Sequence, residues 1–290
     1  MASAPPIIPA ADPRPRAPNW PVRSGGWDTH AHVFGPHSCY PLPEARAYTP
    51  PEQTATDYVA MLGALGLTHG VLVQPSVYGS DHRCMLDAMA RFAGSLFGVV
   101  DLDILVTADT EIERMTRLGV LGLRVRWPLA GGEQRLRAIA ERLRAIGWHL
   151  DLLPDNLKAM AGLAPLLPKL GLPIMIEAMG HPDPDETPDD QGFLALFDLV
   201  RTRVVAVKLS HPYHIDPAGL PYAAAARFAR LLVEASPAQC VWGSDWPHPM
   251  RENRIPNDGD LIDLLPDWAG SIDVANAVLV DNARRFYKGA

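Results

Sequence analysis

The 290-residue chain is poor in cysteine. It has three, Cys39, Cys84 and Cys240, widely spaced and with no Cys-x-x-Cys. That speaks against a disulfide framework and for a reducing compartment, expected to be the cytoplasm. No run of about 18 apolar residues occurs, so no membrane span is expected. A basic excess is also missing: 26 Lys and Arg stand against 33 Asp and Glu, for a net charge of −7. Nothing offers the electrostatic footprint of a nucleic-acid binder. Residues 1–24 are rich in Pro and Ala and lack the continuous apolar core of a secretion signal. They read as an extended, partly disordered arm that could lie on a neighbouring subunit of a homo-oligomer. No Gly-x-Gly-x-x-Gly follows the first predicted strand, so a dinucleotide-binding sheet has no support at the usual place.

What the chain does have is alternation. Short apolar runs at Gly26–His30, Gly70–Gln74, Leu96–Val100, Val120–Arg124, His149–Leu153, Pro173–Glu177, Val204–Lys208 and Cys240–Gly243 read as eight strands. Longer stretches of helical period separate them, such as Thr54–Leu65 with Tyr58, Met61, Leu62 and Leu65 on one face. Eight strand–helix units predict one α/β domain over 25–290, a (β/α)8 TIM barrel. An open doubly wound sheet is the runner-up.

In such barrels the chemistry sits at the C-terminal strand ends. Polar residues gather there. Strand 1 ends in Asp28-Thr29-His30-Ala31-His32 and strand 2 in Gln74-Pro75-Ser76. Strand 4 ends in Arg124-Val125-Arg126 and strand 6 in Glu177-Ala178-Met179-Gly180-His181. Strand 7 ends in Lys208-Leu209-Ser210-His211, and strand 8 in Gly243-Ser244-Asp245-Trp246-Pro247-His248-Pro249. In an extended chain residues i and i+2 point the same way, so His30 and His32 can aim at one point. Two imidazoles there can hold a divalent ion or polarise a carbonyl. Asp245 can reach the same space and take a proton from water.

These runs, in this order, together with Tyr48-Thr49-Pro50 and Val73-Gln74-Pro75-Ser76, resemble the amidohydrolase superfamily. Within it they are most similar to the branch that contains 2-pyrone-4,6-dicarboxylate lactonase. The resemblance implies a deformed barrel and a small lactone or carboxylate substrate. It implies Asp245 as the group that activates water, with His30 and His32 on the scissile carbonyl or on a metal. It further implies Tyr48 and Ser76 in the pocket and Arg124 as the fork that grips a substrate carboxylate, with Arg126 a weaker candidate. His181, His211 and His214 complete the binding set. Resemblance to the pyrone lactonase implies work without a metal, whereas the decarboxylase relatives use zinc. No cofactor is therefore the expectation, and one zinc or manganese ion on His30, His32 and Asp245 is the alternative.

Position 178 breaks the pattern. The branch has a histidine where this chain has Ala178, and a methyl group can neither donate a hydrogen bond nor carry a proton. Three readings follow: an introduced, inactivating His-to-Ala change, a natural one with His181 or His211 taking over, or a barrel that only binds. The intact flanking motif favours the first, for which Ala178→His raises activity by orders of magnitude. The leading function is a lactone hydrolase of aromatic-compound degradation. The alternatives are a metal-dependent, non-oxidative decarboxylase and a non-catalytic ligand-binding barrel. The shortage of arginines after strands 4 and 7 argues for a monoanionic or neutral lactone, with Trp127, Leu153 and Met179 as apolar lining.

Overall fold

The computed structural model describes residues 5–249, 251 and 253–288. Eight parallel strands lie in sequence order: β1 (Gly26–Ala31), β2 (Leu67–Val73), β3 (Leu96–Val100), β4 (Val120–Trp127), β5 (His149–Pro154), β6 (Ile174–Ile176), β7 (Ala206–Leu209) and β8 (Cys240–Trp242). Every predicted strand is present. The helices between them are α1 (Ala55–Ala64), α2 (Arg83–Arg91), α3 (Asp109–Leu118), α4 (Gly132–Ile146), α5 (Leu157–Leu163), α6 (Gln191–Arg201), α7 (Pro212–Ile215) and α8 (Ala223–Ala235). Local chemistry sets their ends. The Thr54 hydroxyl accepts from Asp57 N–H and the Asp57 carboxylate accepts from Thr54 N–H, a reciprocal cap that starts α1. The expected strand–helix alternation is therefore realised as a (β/α)8 barrel.

Strand alternation sorts the core. Trp27, Val71, Val73, Val99, Met175, Ala206 and Val241 form one apolar cluster with Tyr287. The opposite strand faces, including Leu72, Val100, Leu150 and Leu152, pack into the larger helix-facing cluster. The barrel is irregular where it closes. β6 and β8 have three residues each, and β1 meets the chain after β8 through a single bridge, Ala31 to Trp246.

The Asp28 carboxylate does much of the closing. Oδ1 accepts from the backbone N–H of His30 (3.1 Å) and Ser244 (2.9 Å). Oδ2 accepts from the hydroxyls of Tyr58 (3.0 Å) and Ser244 (2.5 Å). Gly243 permits the approach, since a Cβ there would lie 2.8 Å from the Cβ of His30. Asp28→Ala would strand four buried donors. It is expected to cost about 4 kcal/mol, or about 10 °C in Tm by thermal melt.

The arm is extended but lies against its own barrel. Ile8, Ala11 and Trp20 are buried. Ile8 N–H donates to Thr49, and Arg16 pairs with Asp260 and Asp263. Residues 1–4 of the arm lie outside the described residues. No described helix is long and apolar enough to cross a membrane.

Candidate active site

The strand ends surround a cavity of about 650 Å³. Of the residues singled out in the sequence, His32, Tyr48, Ser76, Arg124, Arg126, Ala178, His181, His211, His214 and Asp245 line it. His30 is fully buried directly beneath. Leu153 is part of the wall, whereas Met179 belongs to the packed core.

The centre is Oδ1 of Asp245. Nε2 of His211 lies 2.9 Å from it, Nε2 of His32 3.3 Å and Nε2 of His30 3.7 Å. All three rings thus converge on this one oxygen. Burial by itself pushes this carboxyl up, but the His211 and His32 imidazoles outweigh it and hold it well below the usual carboxylate range. The spacing of His30 and His32 brings both rings to this point, as expected, at 5.1 Å between centroids.

Each histidine is oriented from behind. His32 Nδ1–H donates to the Val73 carbonyl at 2.7 Å, which fixes the ring with Nε2 toward Asp245. His211 Nδ1 faces the Ser210 hydroxyl at 2.9 Å. His30 is different. Its Nδ1 faces the Lys208 ammonium at 3.4 Å, and an ammonium only donates. Nδ1 therefore accepts, and the ring hydrogen sits on Nε2. Nε2 is buried with no protein partner, so it is an N–H waiting for an acceptor. Burial, then Lys208, pushes the His30 pKa well down, which keeps the ring neutral.

Lys208 belongs to a buried set of four ionisable groups with Asp151, Glu177 and Arg124, in which burial pushes Asp151 up to about 7. Lys208 donates to Asp151 at 2.6 Å and lies 3.8 Å from Glu177. Arg124 donates to Oε2 of Glu177 through Nε (3.0 Å) and Nη2 (2.6 Å). The fork expected to grip substrate is thus engaged by Glu177. Arg126, the weaker candidate, is exposed at the cavity and has no carboxylate partner among the described residues.

His181 and His214 stack face to face, with centroids 4.0 Å apart. Burial lowers both, His214 to about 4, so the pair is neutral at ordinary pH. Ala178 is buried at the cavity wall with φ 49°. Histidine takes that left-handed backbone more readily than most residues.

Sequence reasoning missed Asp151, Tyr213 and Arg251. An aspartate inside the apolar run of β5 was a usable signal. Tyr213 carried none, because its hydroxyl reaches Asp245 only through the fold. Arg251 also lines the cavity, its guanidinium 5.2 Å over the Tyr213 ring.

The ligand atoms of His30, His211 and Asp245 lie within 4.8 Å of one another, a spacing that suits a divalent ion. A metal-bound imidazole gives its other N–H to a carboxylate, carbonyl or water. His32 has such a partner, and the Ser210 hydroxyl can serve for His211. The group close enough together for an ion is His30, His211 and Asp245, with the Lys208 ammonium 3.4 Å and the Glu177 carboxylate 3.8 Å behind His30 Nδ1. That differs in one member from the set read in the sequence.

The chain is 34% identical over 292 residues to 4-sulfomuconolactone hydrolase of Rhizobium radiobacter, covering 97% of this chain and 96% of that one. It is 29% identical over 286 residues to 2-pyrone-4,6-dicarboxylate hydrolase of Comamonas testosteroni, covering 94% and 93%. A zinc-bound amidohydrolase of Burkholderia multivorans shares the fold at TM-score 0.70 and 19% identity, over 91% and 99% of the two chains. The family model described as Amidohydrolase matches residues 27–289, and the chain belongs to that family.

Proposed function

We propose that the protein opens a small lactone that carries an acidic group, with Asp245 as the base. One observation carries this reading. Asp245 holds an ionised Oδ1 among three imidazoles, beside the unpartnered Nε2–H of His30, inside a cavity sized for a small ring. Oδ1 takes a proton from water while the hydroxide adds to the lactone carbonyl carbon. The carbonyl oxygen, now an oxyanion, accepts from His30 Nε2–H. Collapse breaks the ring C–O bond, and the proton held by Asp245 passes to the leaving ring oxygen. The product is a hydroxy acid.

His211 stands where it can support the oxyanion from strand 7. That is the role the branch gives to a strand-6 histidine and that Ala178 cannot fill. This favours the second of the three readings of position 178. A divalent ion, if bound, would be held by His30, His211 and Asp245 and would polarise the same carbonyl.

Arg126 supplies the free fork for the substrate's acidic group, with Arg251 as a second cation on the wall. Arg126→Gln is expected to raise KM for a carboxylated lactone about 10- to 100-fold with kcat little changed. A proportionate fall in kcat would show that Arg126 acts on the transition state instead.

The function is tested by incubating the purified enzyme with 4-sulfomuconolactone and 2-pyrone-4,6-dicarboxylate, with and without added zinc or manganese. Loss of lactone absorbance with release of one acid equivalent is expected. No turnover of either lactone under any metal condition would overturn the reading. The metal-fitting donors favour decarboxylation as the second reading, and release of carbon dioxide from a carboxylated substrate would identify it.

A further inference from the structure

Residues 6–20 of the arm reach two segments beside the cavity. The first is the stretch after β1. Thr49 N–H donates to the Pro6 carbonyl at 2.7 Å, and Ile8 N–H donates to the Thr49 carbonyl at 2.9 Å. Ala11 N–H donates to Oε1 of Gln53 at 3.0 Å. Both backbone groups of Thr49 are thus taken by the arm, and its neighbours Ala47 and Tyr48 line the cavity. Gln53 carries the tie inward. Its backbone exchanges two hydrogen bonds with Phe34, two residues beyond His32.

The second segment is α9 (Asp258–Ile262), which follows β8. Asn257 caps it, with Oδ1 accepting from Gly259 N–H at 3.0 Å. The same Oδ1 accepts from Arg16 N–H at 2.8 Å. Nδ2 of Asn257 donates to Asp12 at 2.8 Å and to the Arg14 carbonyl at 3.0 Å. A side-chain amide has two hydrogens and two lone pairs on its oxygen, so the arm takes three of the four places. Further along, Asn19 N–H donates to Asp263 and the Trp20 ring N–H to the Ile262 carbonyl. Gly259 permits this approach, since a Cβ there would overlap the Arg16 carbonyl.

The two segments continue from the first and last strands, which share a single bridge among the described residues, Ala31 to Trp246. The arm therefore spans the seam of the barrel on the outside. Burial holds it more than charge does. Arg16 pairs with Asp260 and Asp263, but its side chain is 47% exposed, and such pairs contribute little. Ile8, Ala11 and Trp20 are buried, and their apolar surface supplies the larger share.

We infer that the arm is a positioning strap for the substrate pocket: it fixes the 47–53 segment, and with it Tyr48, as a wall of the cavity. None of the described arm residues lines the cavity, so the arm acts through that wall. The wall's part in turnover rests on the lactone reading above, and the ordering of the wall by the arm does not.

Two variants lift the arm from opposite ends. Gly259→Ala places a methyl group against the Arg16 carbonyl, yet favours the helix it sits in. Ile8→Asp puts a charge into a buried apolar site. Backbone hydrogen exchange of the full-length protein, read by mass spectrometry without substrate, is the first measurement. In both variants, peptides covering 6–11 and 47–53 are expected to exchange at least about tenfold faster, while β2–β7 stay protected. Faster exchange in 6–11 with 47–53 unchanged would overturn the inference. So would unchanged exchange in both segments, or loss of protection throughout the barrel. The second measurement is KM for 4-sulfomuconolactone. Each variant is expected to raise it about 5- to 10-fold with kcat within about twofold, and Ile8→Val to leave both unchanged. On a Tyr48→Ala background the same changes add less than about twofold, because the residue they displace is gone. Losses that multiply would show that the arm does not act through Tyr48 and would sink the proposal. If the parent enzyme leaves the lactone closed, the lactone reading has failed, and the exchange result alone decides the strap.

Discussion

Asp245→Asn is expected to lower kcat for lactone opening by about 10³-fold, with KM little changed and the fold intact. The asparagine side chain keeps an oxygen for the Tyr213 hydrogen, so the buried hydroxyl is not stranded. What it loses is the basic electron pair of Oδ1, at the point where three imidazole nitrogens lie 2.9, 3.3 and 3.7 Å away. Steady-state kinetics on a folded variant, checked by thermal melt, decides the matter. Near-normal kcat would remove Asp245 from the chemistry.

The sign of its pH dependence follows from the same environment. Burial raises the Asp245 carboxyl, but the His211 and His32 imidazoles outweigh it and hold it well below the usual carboxylate range in the folded protein. A depressed carboxyl stabilises the fold above the unfolded value, and that contribution is lost as pH falls through the folded one. The base is ionised wherever the protein is folded near neutrality. Protonation of Asp245 is thus expected to leave kcat/KM flat between about pH 5 and 8. An acid limb near pH 6 that disappears in Asp245→Asn would contradict this.

The fold was legible because a barrel writes itself locally. Each strand is a short apolar run and each helix a 3.6-residue pattern, and all eight strands fell where those runs predict. The facing of His30 and His32 was legible for the same reason, since period two fixes it. Partner choice was not. Arg124 and Arg126 are two residues apart on one strand face, and nothing local says which of them meets Glu177. Asp28 reads as the first letter of a motif, yet its work is to join the two ends of the sheet through Ser244, 216 residues away. Tyr213 and Asp245 come from two segments that only closure of the barrel brings together.

The substitution at position 178 carries the other large effect. His211→Ala is expected to lower kcat about 10²-fold, the usual loss when one oxyanion donor is removed. Ala178→His alone is expected to change kcat by less than about threefold, because His211 already occupies the role. Placed on top of His211→Ala, it is expected to restore at least about tenfold of the lost rate. The geometry allows this exchange. The 178–180 turn packs against β7, both positions open on the same cavity, and residue 178 already holds the left-handed backbone that a histidine adopts readily. The three readings of Ala178 give three different patterns in this cycle. If the change is an introduced, inactivating one, Ala178→His raises kcat by orders of magnitude in the chain as it stands, and His211→Ala costs little. If the barrel only binds, no combination turns lactone over. If His211 has taken the role, the gain from Ala178→His appears only after His211 is removed. That conditional gain is the signature of one function carried from two neighbouring strands. The absence of any gain on the His211→Ala background would end the argument that His211 stands in for the missing histidine.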